Sequence, residues 1–408
     1  MNYLTFILTV ALCFGFTDFL TERYPRLQRD IWYIAFSIIA FLCTIKYYYG
    51  PDVANYVPFW DNVPSVSNIL AHPDEILYHF EPGYAIFCRV LKDWGLSFYW
   101  HTAIISILYF AVIAILFSKI NSKRSFALSI LMVLDYNIIL YEYRQCLSVV
   151  AFLLMILLLG KKNYLWALVC AIIAITCHKA GAMVVIPTIL FYFFSQNIVP
   201  RSIFAILLVA LALMLLLPVT NISIDFLSLL PFSRTALHSI EHHLMIGKQI
   251  QSIFIVYAVV LLFLVHYAQY SRSRMEIIAA SALIGILFIV ILYQYYYLLN
   301  RIRSYFTPVI IVYIFQYAQN TDKQSVRVPY SMLIKQFISV IIFIFMLHTN
   351  ASLYRNEKQM HNHVNEKCTV FDLMGSASVK DVQRKQMRRA EKYWDEDFMK
   401  SDENHIQR

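Results

Sequence analysis

Charge is what this chain has least of. Only 14% of its 408 residues are Asp, Glu, Lys or Arg, where soluble domains carry about 25%. Glycine (9) and proline (12) are also scarce. The missing residues are replaced by apolar ones: 60% of the chain is AVILMFWYC, and the mean hydropathy is +0.59. That much apolar surface cannot be hidden inside a soluble fold. Disorder and a fibrous repeat are excluded on the same ground. A disulfide scaffold is excluded as well. There are seven cysteines, but Cys13, Cys43, Cys146, Cys170 and Cys177 lie in or at the ends of apolar runs with no metal spacing, as small buried hydrophobes do. A basic n-region and an A-x-A cleavage site are absent too, so Met1–Leu20 is expected to be a retained first span.

What is there is a series of apolar runs, at about 2–20, 31–49, 100–118, 126–141, 146–160, 164–177, 181–195, 202–217, 251–270, 276–298, 304–319 and 333–349. Strands of a membrane barrel alternate in and out over ~10 residues. Runs such as Val149–Leu159 do not alternate. The expected fold is all-α: a polytopic integral membrane protein of about twelve transmembrane helices in a GT-C-like bundle. The transmembrane domain is expected over 1–349, followed by a polar tail at 350–408. That tail mixes both charge signs at helical spacing, and its side of the membrane stays open.

Loops 21–30, 119–125, 161–163, 271–275 and 320–332 are basic, and alternate connections are not. By the positive-inside tendency this places the N-terminus outside, and with it the longer connections 50–99, 218–250 and 299–303. The net charge of +9 therefore reflects loop Lys and Arg, and nucleic acid is not an expected partner. Tyr47, Tyr48, Tyr49, Tyr141, Tyr143, Tyr293, Tyr295, Tyr296 and Tyr297 crowd the outward ends, as in an interfacial aromatic belt. In the 50–99 connection, Glu81-Pro82 marks a helix start. Phe87, Val90, Leu91 and Trp94 follow at i, i+3, i+4 and i+7. This amphipathic helix either lies on the outer membrane surface or packs on neighbouring spans.

Ionisable groups at span ends are costly and call for a reason. Asp52, Glu81, Glu142, Arg144, Gln145, His178, Lys179, Arg301 and Arg303 all fall on the outer side of this topology, from separate parts of the sequence. Each has a plainer reading. Arg144 can snorkel to headgroups, and so can the Arg301-x-Arg303 pair read as a turn. His178 can be a turn histidine, Glu81 a helix N-cap and Asp52 a turn former. His238, His242 and His243 have a His-x₃-His spacing, but without supporting carboxylates no metal site is expected there. Taken together, outward arginines suit a diphosphate, which guanidinium grips with paired hydrogen bonds. A carboxylate or histidine beside them suits a general base for a sugar hydroxyl. The combination matches glycosyl transfer from a polyprenyl diphosphate.

These residues resemble the EpsG family of Wzy-like polysaccharide polymerases. The resemblance lies in Asp52-x₃-Tyr56, then Glu81-Pro82-Gly83-Tyr84, then Arg144-Gln145 opening a span, then His178 with Pro187 in the next span, and finally Arg301-x-Arg303 before Tyr305-Phe306. It implies a multi-pass enzyme of the bacterial inner membrane that joins undecaprenyl-diphosphate-linked oligosaccharide repeat units at the periplasmic face, in capsule, exopolysaccharide or O-antigen biosynthesis. By their chemistry and placement, Asp52, Glu81 and His178 are the expected catalytic residues and Arg144, Arg301 and Arg303 the expected diphosphate ligands. Tyr56, Tyr84 and Gln145 are implied as further substrate contacts. No metal or other cofactor is implied. The implied partners are the lipid-linked oligosaccharide, membrane lipid, and a chain-length regulator and flippase of the same pathway. A polysaccharide ligase differs only in its acceptor. A flippase for the same lipid-linked sugars and a non-catalytic scaffold are the competing classes. Transporters tend to show inverted repeats and midplane charges; here no repeat is evident and the charges lie at one rim.

Overall fold

The computed structural model describes residues 3–46, 50, 52–72, 76, 80–197, 277–291, 296–320 and 388. Among them there are twelve helices and no strand. They are α1 (Tyr3–Leu20), α2 (Pro25–Thr44), α3 (Val53–Asp61), α4 (Val66–Ala71), α5 (Pro82–Asp93), α6 (Phe98–Phe117), α7 (Arg124–Leu140), α8 (Tyr143–Gly160), α9 (Tyr164–Cys177), α10 (Lys179–Asn197), α11 (Ile277–Ile291) and α12 (Tyr296–Asn320). The expected runs at 202–217, 251–270 and 333–349, loop 218–250 with its histidines, and nearly all of the 350–408 tail lie outside the described residues.

Pro25–Thr44, Phe98–Phe117 and Tyr143–Gly160 are long and apolar enough to cross a membrane. Phe6–Leu20, Tyr164–Cys177, Lys179–Phe193 and Ile277–Ile286 are apolar but shorter. Large apolar side chains stay exposed along these helices, for example Leu165, Trp166, Leu168, Ile172 and Ile173 on α9. A helix clad in this way is at home in hydrocarbon. The protein is a helical membrane protein.

The described residues form two compact units. One holds Met1–Ala151, Ile172–Lys179 and the described residues from Phe315 onward; the other holds Phe152–Ala171 and Ala180–Ile314. In the first, α7 is the central helix and packs on α1, α2 and α6. A Cβ on Gly15 of α1 would strike Ser129 of α7, and the Ser129 hydroxyl donates to the Ala11 carbonyl. Small residues allow such close backbone approach between membrane helices. The start of α7 is capped from a distance: the Phe126 N–H donates to the buried Asp18 carboxylate at 2.8 Å, an anion at the positive end of the helix dipole. Within α7 the backbone leaves helical geometry at Asp135 (φ −124, ψ 25).

In the second unit, Phe306 of α12 stacks on Phe288 of α11 with ring centroids 5.8 Å apart and meets Phe152 of α8 edge-on at 5.3 Å. Gly285 leaves the room for that ring. This packing corrects one expectation. Of the run at 276–298, Ile277–Ile291 lies in α11, and the residues from Tyr296 onward open α12. The stretch 299–303, read from sequence as a turn, is helical. Leu299, Ile302, Tyr305, Phe306 and Val309 recur at helical spacing and are all buried, and no Gly or Pro interrupts them until Pro308.

The 50–99 connection contains three short helices, α3 to α5. The α5 helix forms as expected, with Pro82 in its first turn. Its buried stripe is Tyr84, Ala85, Cys88 and Leu91, offset from the expected Phe87–Val90–Leu91–Trp94. Trp94 is exposed. The helix is turned because it packs on the protein through Tyr84. Lys92 donates to the Trp60 carbonyl at 2.9 Å and the Asp61 carbonyl at 2.6 Å, which closes the C-terminal end of α3.

Candidate functional site

Four interhelical junctions meet in the first unit, and two glycines account for how closely. Gly50 has φ +93, a left-handed conformation that suits glycine. A Cβ there would lie 2.8 Å from the Tyr141 ring, so the turn that leads to Asp52 closes onto the link between α7 and α8. Gly83, in the first turn of α5, has no room for a Cβ either, since it would lie 2.8 Å from the Thr176 backbone carbonyl carbon. The Glu81-Pro82-Gly83-Tyr84 segment thus seats against the end of α9, next to His178 and the start of α10. The glycine in this motif is a packing requirement.

Glu81 ties these junctions together. It stands at the N-cap position of α5, yet its side chain makes no cap bond to that helix. One carboxylate oxygen accepts from the Arg144 guanidinium at 2.8 Å. The other accepts from the Lys179 backbone N–H at 3.2 Å, the first residue of α10. Glu81 is almost fully buried, whereas the Arg144 side chain keeps 24% of its surface. The anion therefore lies at the positive end of α10, and it also answers a cation placed unfavourably at the start of α8. This excludes the plainer reading of Glu81 as a cap of its own helix.

Arg144 is held on further sides. Its guanidinium lies over the Phe80 ring, 4.2 Å from the centroid, a cation–π contact. Its backbone N–H donates to the Tyr56 hydroxyl at 3.5 Å. Its Nε is buried with no hydrogen-bond acceptor among the described residues. A side chain held this way is preorganised: its charge is oriented before a ligand arrives, and one edge remains accessible.

Beneath Arg144 lies a deck of aromatic rings. Tyr56 packs against Phe80 (5.3 Å), Tyr84 (5.8 Å) and Tyr143 (5.1 Å between centroids). The Tyr84 hydroxyl pairs with His101 Nε2 at 3.1 Å. Burial pushes the phenols of Tyr56 and Tyr84 well above their ordinary range, and the Arg144 cation only partly offsets this at Tyr56. Both stay neutral. Tyr143, expected in an interfacial belt, is buried in this deck.

The structure thus brings together Tyr56, Glu81, Tyr84, Arg144 and the His178–Lys179 link. His178 is buried. Asp52 sits at the start of α3, where its carbonyl accepts from Asn55 and Tyr56, and its charge is close enough to be felt by Tyr56 and Tyr143. Gln145 is buried in the first turn of α8. Arg301 and Arg303 belong to the second unit, on α12. Arg301 is exposed and Arg303 half-buried. Residues two apart on a helix do not share a face, so the pair cannot grip one phosphate as a fork. Sequence reasoning missed Phe80, His101 and Lys46. Lys46 carried a usable signal, as a charge inside an apolar run.

No curated protein and no solved structure matches the chain. The family model of the EpsG family matches residues 31–361, well over half of the chain and inclusive of every residue of the site. The chain belongs to the EpsG family, whose role is Wzy-like, exopolysaccharide-type polymerisation.

Proposed function

We propose that this protein joins oligosaccharide repeat units carried on undecaprenyl diphosphate, at the periplasmic face of a bacterial inner membrane, and that Arg144 grips the departing diphosphate. The observation that carries this reading is the Arg144 setting: a guanidinium fixed by Glu81, stacked on Phe80, and partly open. An acceptor sugar hydroxyl attacks the anomeric carbon of the donor. The bond from that carbon to the diphosphate oxygen breaks, and the lipid diphosphate leaves with the electron pair. Negative charge grows on the leaving oxygen, and a preorganised guanidinium stabilises it without reorganising. The hydroxyl proton passes to a base, for which His178 and Asp52 are the candidates. Glu81 already holds Arg144 and the start of α10, so it serves as a positioning residue. Tyr56, Tyr84 and Gln145 support the site from below and beside it. Arg303, flanked by Leu299 and Phe306 at i−4 and i+3, is the better candidate of the α12 pair for a second contact to the diphosphate.

The test is chain extension in vitro with purified protein and a lipid-linked repeat unit. The wild type is expected to release one lipid diphosphate for each bond formed. Arg144→Lys keeps the charge but loses the bidentate fork. It should remain in the membrane at normal level and extend chains far more slowly. Full activity in both Arg144→Lys and the Arg301→Ala/Arg303→Ala double variant would contradict the reading. Movement of the lipid-linked unit across a vesicle without bond formation would point to a transporter.

A further inference from the structure

Lys46 lies just beyond α2 and is 1% exposed. Its ammonium donates to the Ser106 hydroxyl of α6 at 2.9 Å and to the Ile139 carbonyl near the end of α7. It also lies over the Tyr143 ring, 5.2 Å from the centroid. Ser106 passes its own proton on to backbone carbonyls, at 3.1 Å for Thr102, so it is free to accept from the lysine. A buried lysine is a costly way to fill space. Apolar residues of similar volume usually do as well or better for stability alone, and the surrounding elements are mostly apolar. The charge is placed where it acts on something: at the negative end of α7 and under the ring that precedes Arg144.

We propose that Lys46 is a positioning residue for Arg144. The contacts run in a chain. Lys46 holds the Tyr143 face; Tyr143 packs on Tyr56 with centroids 5.1 Å apart; and the Tyr56 hydroxyl accepts from the Arg144 backbone N–H. By pinning the end of α7 as well, Lys46 fixes the link from which Arg144 emerges. Glu81 and Phe80 set the guanidinium from one side, and Lys46 sets its backbone from the other. The inference rests on the reading that Arg144 binds the donor diphosphate.

A double-mutant cycle on purified full-length protein tests it, with kcat and KM for the lipid-linked donor as the readout. Lys46→Met should accumulate in the membrane and lower kcat/KM for the donor about tenfold, within the range for residues coupled through one network. In an Arg144→Lys background the same change should cost little more, because the group it positions is already impaired. Tyr143→Leu removes the face that meets the ammonium and should behave like Lys46→Met. Tyr143→Phe keeps the ring, and the Tyr143 hydroxyl has no hydrogen-bond partner among the described residues, so it should restore donor kinetics. Losses that multiply across the two backgrounds would overturn the proposal and leave Lys46 as a packing residue. If Lys46→Met does not accumulate, Tyr143→Leu decides: wild-type kcat/KM there overturns the proposal. Full activity in Arg144→Lys alone would instead defeat the diphosphate reading, an outcome distinct from failure of the coupling.

Discussion

Arg144 and Arg303 both look, in the sequence, like arginines at the end of an apolar run, but the fold treats them differently. Arg144 is the second residue of α8, and three residues of the 50–99 connection converge on it: Glu81 pairs with it, Phe80 lies under it and Tyr56 meets its backbone. Arg303 lies two turns inside α12, and its helix continues past it on buried Leu299, Ile302 and Phe306. A cation at a helix start faces the like-signed end of the dipole, so partners must be brought to it. A cation within a continuous helix needs no such convergence. The difference is between a cation at a helix start, set by residues distant in sequence, and a half-buried cation carried within one continuous helix.

The largest effect is expected at the built site. Arg144→Lys should lower the rate of chain extension by about 10²–10³, as loss of one stabilising donor does, with unchanged protein level in membranes. Glu81→Gln comes next: it keeps the shape but removes the charge that holds Arg144 and the α10 start. Activity should fall by about tenfold or more, and stability by about 1–3 kcal/mol, read as a shift in detergent melting.

At the other arginines the comparison can be broken directly. Arg303→Ala should reduce donor binding several-fold, while Arg301→Ala should leave it near wild type, both measured as KM for the donor. Equal losses would mean that the helix presents both residues to one ligand. The packing beneath the site gives a smaller effect. Gly83→Ala should destabilise by about 1–3 kcal/mol through forced movement of α5 against α9. Adding Thr176→Ala should restore only part of this, since the Thr176 backbone carbonyl carbon would still lie 2.8 Å from the added Cβ. The smallest effect is expected at the far end of α5. Lys92→Met should cost about 0.3–1 kcal/mol in the same melting assay, and Trp94→Ser nothing measurable, since that indole is exposed.

The sequence showed well where the helices are and poorly how they face one another. Apolar runs marked α1 and α6 to α10 to within a few residues, because burial in hydrocarbon acts on every residue of a span; α2, read as 31–49, instead runs Pro25–Thr44 and takes in part of the basic 21–30 stretch. The ordered Asp52, Glu81, Arg144 and His178 were legible as costly polar groups. Their pairing was not, because it depends on Gly50 and Gly83 letting distant segments touch. The helical state of 299–303 was missed for a similar reason: Asn300, Arg301 and Arg303 end an apolar run, and a polar stretch that short does not separate a turn from a helix. The buried face of α5 was misread because an apolar residue can be covered by lipid, by protein or by neither. Tyr84, with a polar end that reaches His101, took the inward place that Trp94 was expected to share.

In the proposed site, Arg144, held by Glu81, recognises a diphosphate. The direct measurement is equilibrium binding of undecaprenyl diphosphate and undecaprenyl monophosphate to purified wild type, Arg144→Lys and Glu81→Gln in nanodiscs of one fixed lipid composition. The expected result is a clear preference of the wild type for the diphosphate, lost in Arg144→Lys and weakened in Glu81→Gln, with monophosphate binding little changed. An equal preference for the diphosphate in all three proteins would contradict the account, and would leave Arg144 and Glu81 as an ion pair that only joins helices.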